Sequence, residues 1–412
     1  MTDIYVAGTG MTHFGRHLDT DIKTMTRQAV TAALSDAGAE KTQLQAAMFS
    51  NATQGHMEGQ DMVRGQIALR DMGIGGIPVF NVENACASAT SAFVLAYNWL
   101  RSGAADIVLA IGAEKMYSQD RARMFSAFDG AWDVHRVAEN TERLLQRGKG
   151  LEIPPGTTSQ APYSIFMDVY AGMARAHMKR FGTTQEQIAS VAAKNHRHSV
   201  HNELSQYRRE YSVDEILAAR PITYPLTLPM CSPISDGAAA AVLCTEAGLK
   251  KLDGSPSRAI RVLAAVMHSG ADRAEDEYQN SCTVLAASEA YERAGIGPAD
   301  VSVAEVHDAT AMGEIIQIEN LGFFDFGEGG PASARGDTSI GGRIPVNPSG
   351  GLESKGHPIG ATGLGQVSEL VLQLRGEAGA RQVEGARIAL AENGGGLIGL
   401  DEAAAGILIL GK

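Results

Sequence analysis

VFNVENACASATSAFVLAY, residues 79–97, is the stretch whose reading decides the fold. An extended apolar approach (Val79, Phe80, Val82) stops at Glu83-Asn84-Ala85. Cys86 follows, and a run of small residues at 87–92 leads into the helical apolar pattern Phe93, Leu95, Ala96, Leu100. This reads as strand, sharp turn, helix, with Cys86 at or near the first turn of a buried helix. A helix start offers unpaired N–H groups and the positive end of the dipole, and both favour thiolate over thiol. Taken alone, the stretch fits a nucleophile and a buried structural cysteine equally well, because free cysteine is among the most buried residue types.

Working outward, the chain alternates strand and helix. Ile4 to Ala7 is a strand, residues 21–37 an amphipathic helix stopped by Gly38, and residues 46–51 a strand followed by a polar loop with His56. Residues 105–112 (ADIVLAIG) are apolar throughout, as in a central strand covered on both faces. The order is βαβαβαβ, a layered α/β arrangement. From Glu114 to about Ile222 charges cluster and periodicity weakens, which reads as an insertion covering a site. A strand resumes at residues 238–244, and from Arg258 the element order begins again, with the last helix expected over residues 366–375. Two similar halves are therefore expected, residues 1–257 with an insertion at about 114–231, and residues 258–412, although no literal sequence repeat is present.

Composition narrows the classes. A hydrophobic fraction of 44% and a charged fraction of 20% are those of an ordinary globular protein. The net charge of −12 argues against nucleic acid as the main partner, while leaving room for a local basic patch that meets phosphates. No apolar run is long enough to span a bilayer. The four cysteines, Cys86, Cys231, Cys244 and Cys282, show no paired metal-type spacing, so no metal set is expected. A cytoplasmic protein with reduced thiols follows as the expectation.

Three further stretches look like loops at strand ends, where open α/β sheets place their sites. Glu305-Val306-His307-Asp308 delivers a histidine and an aspartate just before a helix. In Lys355-Gly356-His357-Pro358-Ile359-Gly360 a histidine lies among glycines, where packing explains it poorly and close backbone approach to a ligand explains it well. Ala391-Glu392-Asn393-Gly394-Gly395-Gly396 reads as a strand ending in a carboxylate and three glycines, a run able to aim N–H groups at an oxyanion. One cysteine and two histidines then make a coherent set: a thiolate attacks an acyl group, one histidine takes the thiol proton, and the other polarises a carbonyl.

With these motifs the sequence resembles the thiolase superfamily. The carriers are Asn84-Ala85-Cys86-Ala87-Ser88, His307-Asp308-Ala309, Gly356-His357-Pro358-Ile359-Gly360 and the Gly394–Gly396 loop. His307-Asp308 and Ser235-Asp236-Gly237-Ala238-Ala239-Ala240 point to its sterol-carrier-protein-2-type branch of thiolases and thiolase-like acyltransferases. The resemblance implies a duplicated five-layered αβαβα fold with a loop-domain insertion, a homodimer or tetramer, and a role in lipid-type acyl metabolism. It implies an acyl-cysteine on Cys86 formed from a thioester of coenzyme A, with coenzyme A a substrate and no cofactor bound permanently. His357 would activate Cys86, His307 would hold the thioester oxygen of the second substrate, and the N–H groups of Cys86 and Gly394 would form an oxyanion hole. Branch relatives often work with a small zinc-ribbon/OB-fold partner protein.

The family's second acid/base cysteine is missing. Glu392 stands at the corresponding position, or Asn393 with a register slip of one, and Ala309 follows the His-Asp pair. Glu392 is therefore the candidate base, and Asn393 and His56 are candidate pocket residues. The reactions left open are acyl transfer from Cys86 to a carbon nucleophile or coenzyme A, a retro-aldol cleavage of a CoA-linked side chain, and acyl binding without catalysis as a subunit of a complex.

Overall fold

The computed structural model describes residues 2–412. Its strands are β1 (Ile4–Met11), β2 (Ala46–Ser50), β3 (Val79–Val82), β4 (Ile107–Glu114), a small hairpin β5 (Pro221–Thr223) and β6 (Leu226–Thr227), then β7 (Gly237–Thr245), β8 (Ile260–Ser269), β9 (Val303–Glu305), β10 (Ile388–Gly395) and β11 (Ala404–Gly411). Nine of them form one mixed sheet in the order β3-β2-β4-β7-β1-β8-β11-β10-β9.

That order is the duplication made visible. Outward from the β1/β8 contact, the first half runs first, last, penultimate and second strand (β1, β7, β4, β2), and the second half does the same (β8, β11, β10, β9). Pairing directions repeat too: antiparallel for β1/β7 and β8/β11, antiparallel for β4/β7 and β10/β11, parallel for β2/β4 and β9/β10. Even β3 has its counterpart, a parallel bridge between Ala304 and Val346. Among the described residues the two halves join within the sheet through two residue pairs, Tyr5 with Arg261 and Val6 with Ile260.

Strand composition explains the layering. On β4, Val108 and Ala110 pack into the inner core, while Ile107, Leu109, Ile111 and Ala113 pack into an outer one. Alternate side chains leave opposite faces of a strand, so a strand apolar at every position must be covered twice. The outer cover of the first half is the Ile22–Ala37 helix, with Asp21 as its N-cap and Gly38 in the left-handed conformation ending it. In the second half the outer cover is the Cys282–Ala294 helix. Between the halves lie two helices, Ser88–Arg101 and Thr362–Arg375, which pack on each other and on strands of both halves. This gives the five layers α, β, α, β, α.

The second central helix begins at Thr362, four residues earlier than the glycine-rich sequence predicts. Its glycines serve packing rather than a loop: a Cβ on Gly363 would lie 2.1 Å from Thr90 Oγ1, and one on Gly365 would lie 3.0 Å from Phe14 Cζ. The two central helices thus cross near their N-terminal ends, which sets the segments just before them, holding Cys86 and His357, side by side. The insertion contributes the long helices Ile165–Phe181 and Gln185–Ser199, the latter against the Ala311–Asn320 helix of the second half.

Substituting Gly363→Ala should force the central helices apart at this crossing. The expected loss is about 1–3 kcal/mol of stability, read as a lower urea midpoint at unchanged slope.

Candidate active site

Cys86 lies two residues before the Ser88–Arg101 helix, on a turn that Ala85 makes with a φ of +47°. A non-glycine residue there costs roughly 1–2 kcal/mol, and such strain persists where the surroundings over-determine the backbone. They do: Glu83 accepts the Ala85 N–H, while Ser88 Oγ accepts the Asn84 N–H at 2.9 Å and donates to the Ala85 carbonyl at 2.6 Å. The turn is a bracket that holds the sulfur out toward a cavity.

His357 meets it. Its Nε2 is 3.3 Å from Cys86 Sγ, and its Nδ1 is 2.7 Å from Thr362 Oγ1. The Thr362 hydroxyl gives its one proton to the Pro358 carbonyl at 3.0 Å, so toward Nδ1 it is an acceptor. Nδ1 therefore carries the imidazole proton, and the Nε2 lone pair faces the thiol. This is the tautomer a general base needs. The His357 N–H donates to Ser235 Oγ at 2.9 Å, and neighbouring Asp236 accepts the N–H groups of Met116 and Tyr117, each at 2.7 Å. The Ser-Asp-Gly segment thus anchors both the histidine loop and the start of the insertion.

The resting pair is neutral, contrary to the expectation of a helix-stabilised thiolate. Burial pushes the Cys86 thiol up to about 12, and the carboxylates of Glu402, Glu114 and Glu83 add to the shift. Burial, with His307 beside it, holds His357 well below the usual histidine range. Desolvation here outweighs the dipole of a helix that begins only two residues later.

His307 completes the cluster: ligand-type atoms of Cys86, His307 and His357 all lie within 4.8 Å of one another. Both ring nitrogens of His307 lack a hydrogen-bond partner, and Nδ1 is 4.0 Å from Glu402 Oε1. Its loop is held from below by a buried polar network. Asp308 accepts the Leu352 N–H at 2.8 Å, and Asn195 Nδ2 reaches Asp308, Glu314 and Glu353 at 3.1, 3.0 and 3.0 Å. Burial and mutual repulsion push the carboxyls of Asp308 and Glu353 well above the ordinary range, while Lys194 pairs with Glu314.

The glycine run differs from its sequence reading. β10 does not end at Glu392 but continues to Gly395, with Glu392 opposite Ile407. Glu392 is fully buried, its Oε2 accepts the His307 N–H at 2.8 Å, and it does not reach the cavity. Asn393 points the other way and accepts from Thr90 Oγ1 at 3.0 Å inside the central layer, so it is no pocket residue. Gly395 and Gly396 do line the cavity. A Cβ on Gly395 would lie 2.4 Å from the Ala87 nitrogen and 2.9 Å from that of Cys86, so the strand end is pressed against the nucleophile turn. Gly394, one residue back, pairs with Ala405 and faces the Glu402 carboxylate.

The cavity has a volume of about 1050 Å³. The insertion supplies much of its wall, including Phe125, Phe128, Phe166 and Tyr170. His56 stands on its rim, on the short Gln54–Glu58 helix rather than a loop, with Nε2 3.0 Å from the Arg123 carbonyl. Arg16, Arg121 and Arg220 are exposed basic residues of the same rim. Tyr170 and Glu402 are site residues that the sequence reading missed. Tyr170 has its phenol pushed far up by burial and by neighbouring Glu402 and Cys86. A tyrosine on an insertion helix and a glutamate on a strand-joining loop carry no local motif.

A fold of two topologically identical halves, with a cysteine bracket and a histidine meeting at their seam, is that of the thiolases. A profile of the thiolase N-terminal domain matches residues 4–216, and one described as thiolase C-terminal domain-like matches residues 264–412. The chain belongs to the thiolase family. Within it, the chain is similar to sterol carrier protein 2 of Homo sapiens, 39% identical over 95% of this chain and 69% of that protein. It is also similar to an acetyl-CoA acetyltransferase of Methanothermobacter thermautotrophicus, 38% identical over 96% of this chain and 97% of that one. Human mitochondrial 3-ketoacyl-CoA thiolase superposes with a TM-score of 0.70 at 17% identity, covering 100% of this chain and 99% of that one. The solved structure of an Ltp2-ChsH2(DUF35) aldolase superposes at 0.77 and 24% identity, covering 99% and 97%.

The neutral dyad predicts how Cys86 reacts without substrate. Alkylation by iodoacetamide should be slow at pH 7 and climb without a plateau up to at least pH 10, because the thiol titrates near 12. Peptide mass spectrometry of Cys86 across pH measures this; a plateau reached below pH 7 would mean an ion pair instead.

Proposed function

We propose that the protein is an acyltransferase that carries its acyl group on Cys86, taken from an acyl-CoA. The observation that carries this reading is the 3.3 Å contact between Cys86 Sγ and an unprotonated His357 Nε2 at the edge of a large, aromatic-walled cavity. As Sγ attacks the thioester carbonyl, His357 takes the thiol proton, so the high thiol pKa is overcome only in the presence of substrate. The N–H groups of Cys86 and of the Gly394–Gly395 strand end are the donors available to the developing oxyanion. Collapse expels the coenzyme A thiolate, which receives the proton from His357. The acyl group then passes to a carbon nucleophile or to coenzyme A, with His307 beside the carbonyl of that second substrate. Arg16, Arg121 and Arg220 place positive charge on the rim of a protein of net charge −12, which suits the phosphates of coenzyme A.

Intact-protein mass spectrometry with acetyl-, hexanoyl- and benzoyl-CoA tests the reading. A mass increase equal to the acyl group is expected on the native chain and none on Cys86→Ala, while His357→Ala should form the adduct about 100-fold more slowly or worse. No adduct with any of the three would sink it.

Two assemblies follow as part of this proposal. β3 is one edge strand of the sheet, and Phe80 on it is 40% exposed, while Met62, Val63, Ile67 and Leu95, near it in the chain, are exposed too. An apolar strand edge of this kind fits a second copy of the chain. Phe80→Glu should convert a dimer into a monomer by sedimentation without abolishing acylation of Cys86. The aldolase neighbour is an Ltp2-ChsH2(DUF35) assembly, in keeping with a small separate partner for this chain too.

A further inference from the structure

Acyl transfer to a carbon nucleophile that carries its α-proton needs a group to remove that proton, and His357 is placed on the sulfur side of the site, 3.3 Å from Cys86 Sγ. Cys231 lines the cavity, but its thiol points at the Thr227 carbonyl and burial drives it far up. Cys244 and Cys282 are buried. Glu402, on the loop between β10 and β11, is an acidic side chain of the cavity that faces the cluster, with Oε1 4.0 Å from His307 Nδ1.

Its seat is built. Thr283 Oγ1 donates to Oε2 at 2.6 Å and Gln317 Nε2 donates to Oε1 at 2.9 Å. The space it occupies is cut out of β10, since a Cβ on Gly394 would lie 1.9 Å from Oε1 and 2.3 Å from the carboxyl carbon. A negative charge there hinders the first half-reaction, because it opposes formation of the Cys86 thiolate. A carboxylate held by two donors and given room by a missing side chain, yet unhelpful to the nucleophile, has its use in another step.

We propose that Glu402 is the proton acceptor of the second half-reaction, a role that rests on Cys86 being the acyl carrier. With a carbon nucleophile, the Glu402 carboxylate takes the proton α to the incoming thioester carbonyl, whose oxygen sits at His307. The electron pair of that C–H bond attacks the carbonyl carbon of acyl-Cys86 and forms the new C–C bond. The carbon–sulfur bond breaks with its pair returning to Sγ, and the proton on Glu402 passes through His357 or solvent to the thiolate, restoring the starting state. In the thiolysis direction Glu402 returns that proton to carbon.

The full-length chain and its E402Q variant separate the two halves of the reaction. The probes are acyl-CoAs for adduct formation, 3-ketoacyl-CoAs of four to sixteen carbons with coenzyme A for turnover, and acetyl-CoA in D2O for α-deuterium uptake. The expected result is that E402Q acylates Cys86 within about threefold of the native rate, while turnover and deuterium uptake each fall at least about 100-fold. E402D, which keeps the acid on a shorter arm, should recover part of both. E402Q turning over within threefold of the native chain would overturn the proposal, as would equal losses of acylation and turnover that E402D does not relieve. A native chain that never acylates overturns the acyl-carrier reading itself, and that outcome is distinct because it precedes any Glu402 variant.

Discussion

The carboxylate of Glu114 is the interaction on which the geometry of the site depends. It sits at the end of β4, fully buried, and its partners are neutral donors. Oε1 accepts from Asn51 Nδ2 at 2.8 Å, the Thr53 N–H at 3.1 Å and the Thr53 hydroxyl at 2.7 Å; Oε2 accepts the Ala52 N–H at 2.9 Å and the Gly360 N–H at 3.0 Å. Burial pushes its carboxyl up, and these donors oppose that shift. One group therefore fastens the end of β4, the loop after β2 and the loop that carries His357, and it fastens the second half to the first. Five directional bonds to one carboxylate leave little freedom for a loop whose histidine must stay within reach of a sulfur.

Around that anchor the site divides its labour by charge. The dyad is kept neutral by desolvation, so no thiolate stands ready in the resting site. Carboxylates are abundant nearby, yet they are sorted by burial. Asp308 and Glu353 lie in a closed network whose protonation is favoured by crowding, and Glu305 is paired with Lys355 at 3.0 Å. Of Asp308, Glu353, Glu305 and Glu402, only Glu402 borders the cavity, as Glu83, Glu319 and Asp401 also do. Scaffold and chemistry thus use the same residue type, and solvent access and donors decide which is which.

Much of this is legible in the sequence. His357 stands out because a histidine among glycines has no good packing explanation; Cys86 before a run of small residues and His307 at a strand end fit packing when read singly and gain their meaning only in combination with it. The repeat of element order foretells two similar halves, and apolar runs such as that of β4 foretell strands covered on both faces. The departures share a cause. In Ala361-Thr362-Gly363-Leu364-Gly365, glycine reads as a loop former, whereas here it lets two helices touch. In Glu392-Asn393-Gly394, the glycines suggest an early end to a strand that in fact runs on. Because β10 continues, Glu392 and Gly394 share one face while Asn393 takes the other, and only the register against β11 shows which face meets His307. Glu402 and Tyr170 are illegible, since their meaning comes from neighbours far away in the chain.

The crossing of the two central helices has one more consequence. Each half supplies one member of the dyad from the equivalent address, the segment leading into its central helix, so neither half alone contains a base beside a nucleophile. A chain caught with one half folded would present Cys86 as an ordinary thiol, mostly protonated at neutral pH and with no imidazole next to it. A base beside the nucleophile therefore exists only where the two halves meet, with Gly363 packed against Thr90.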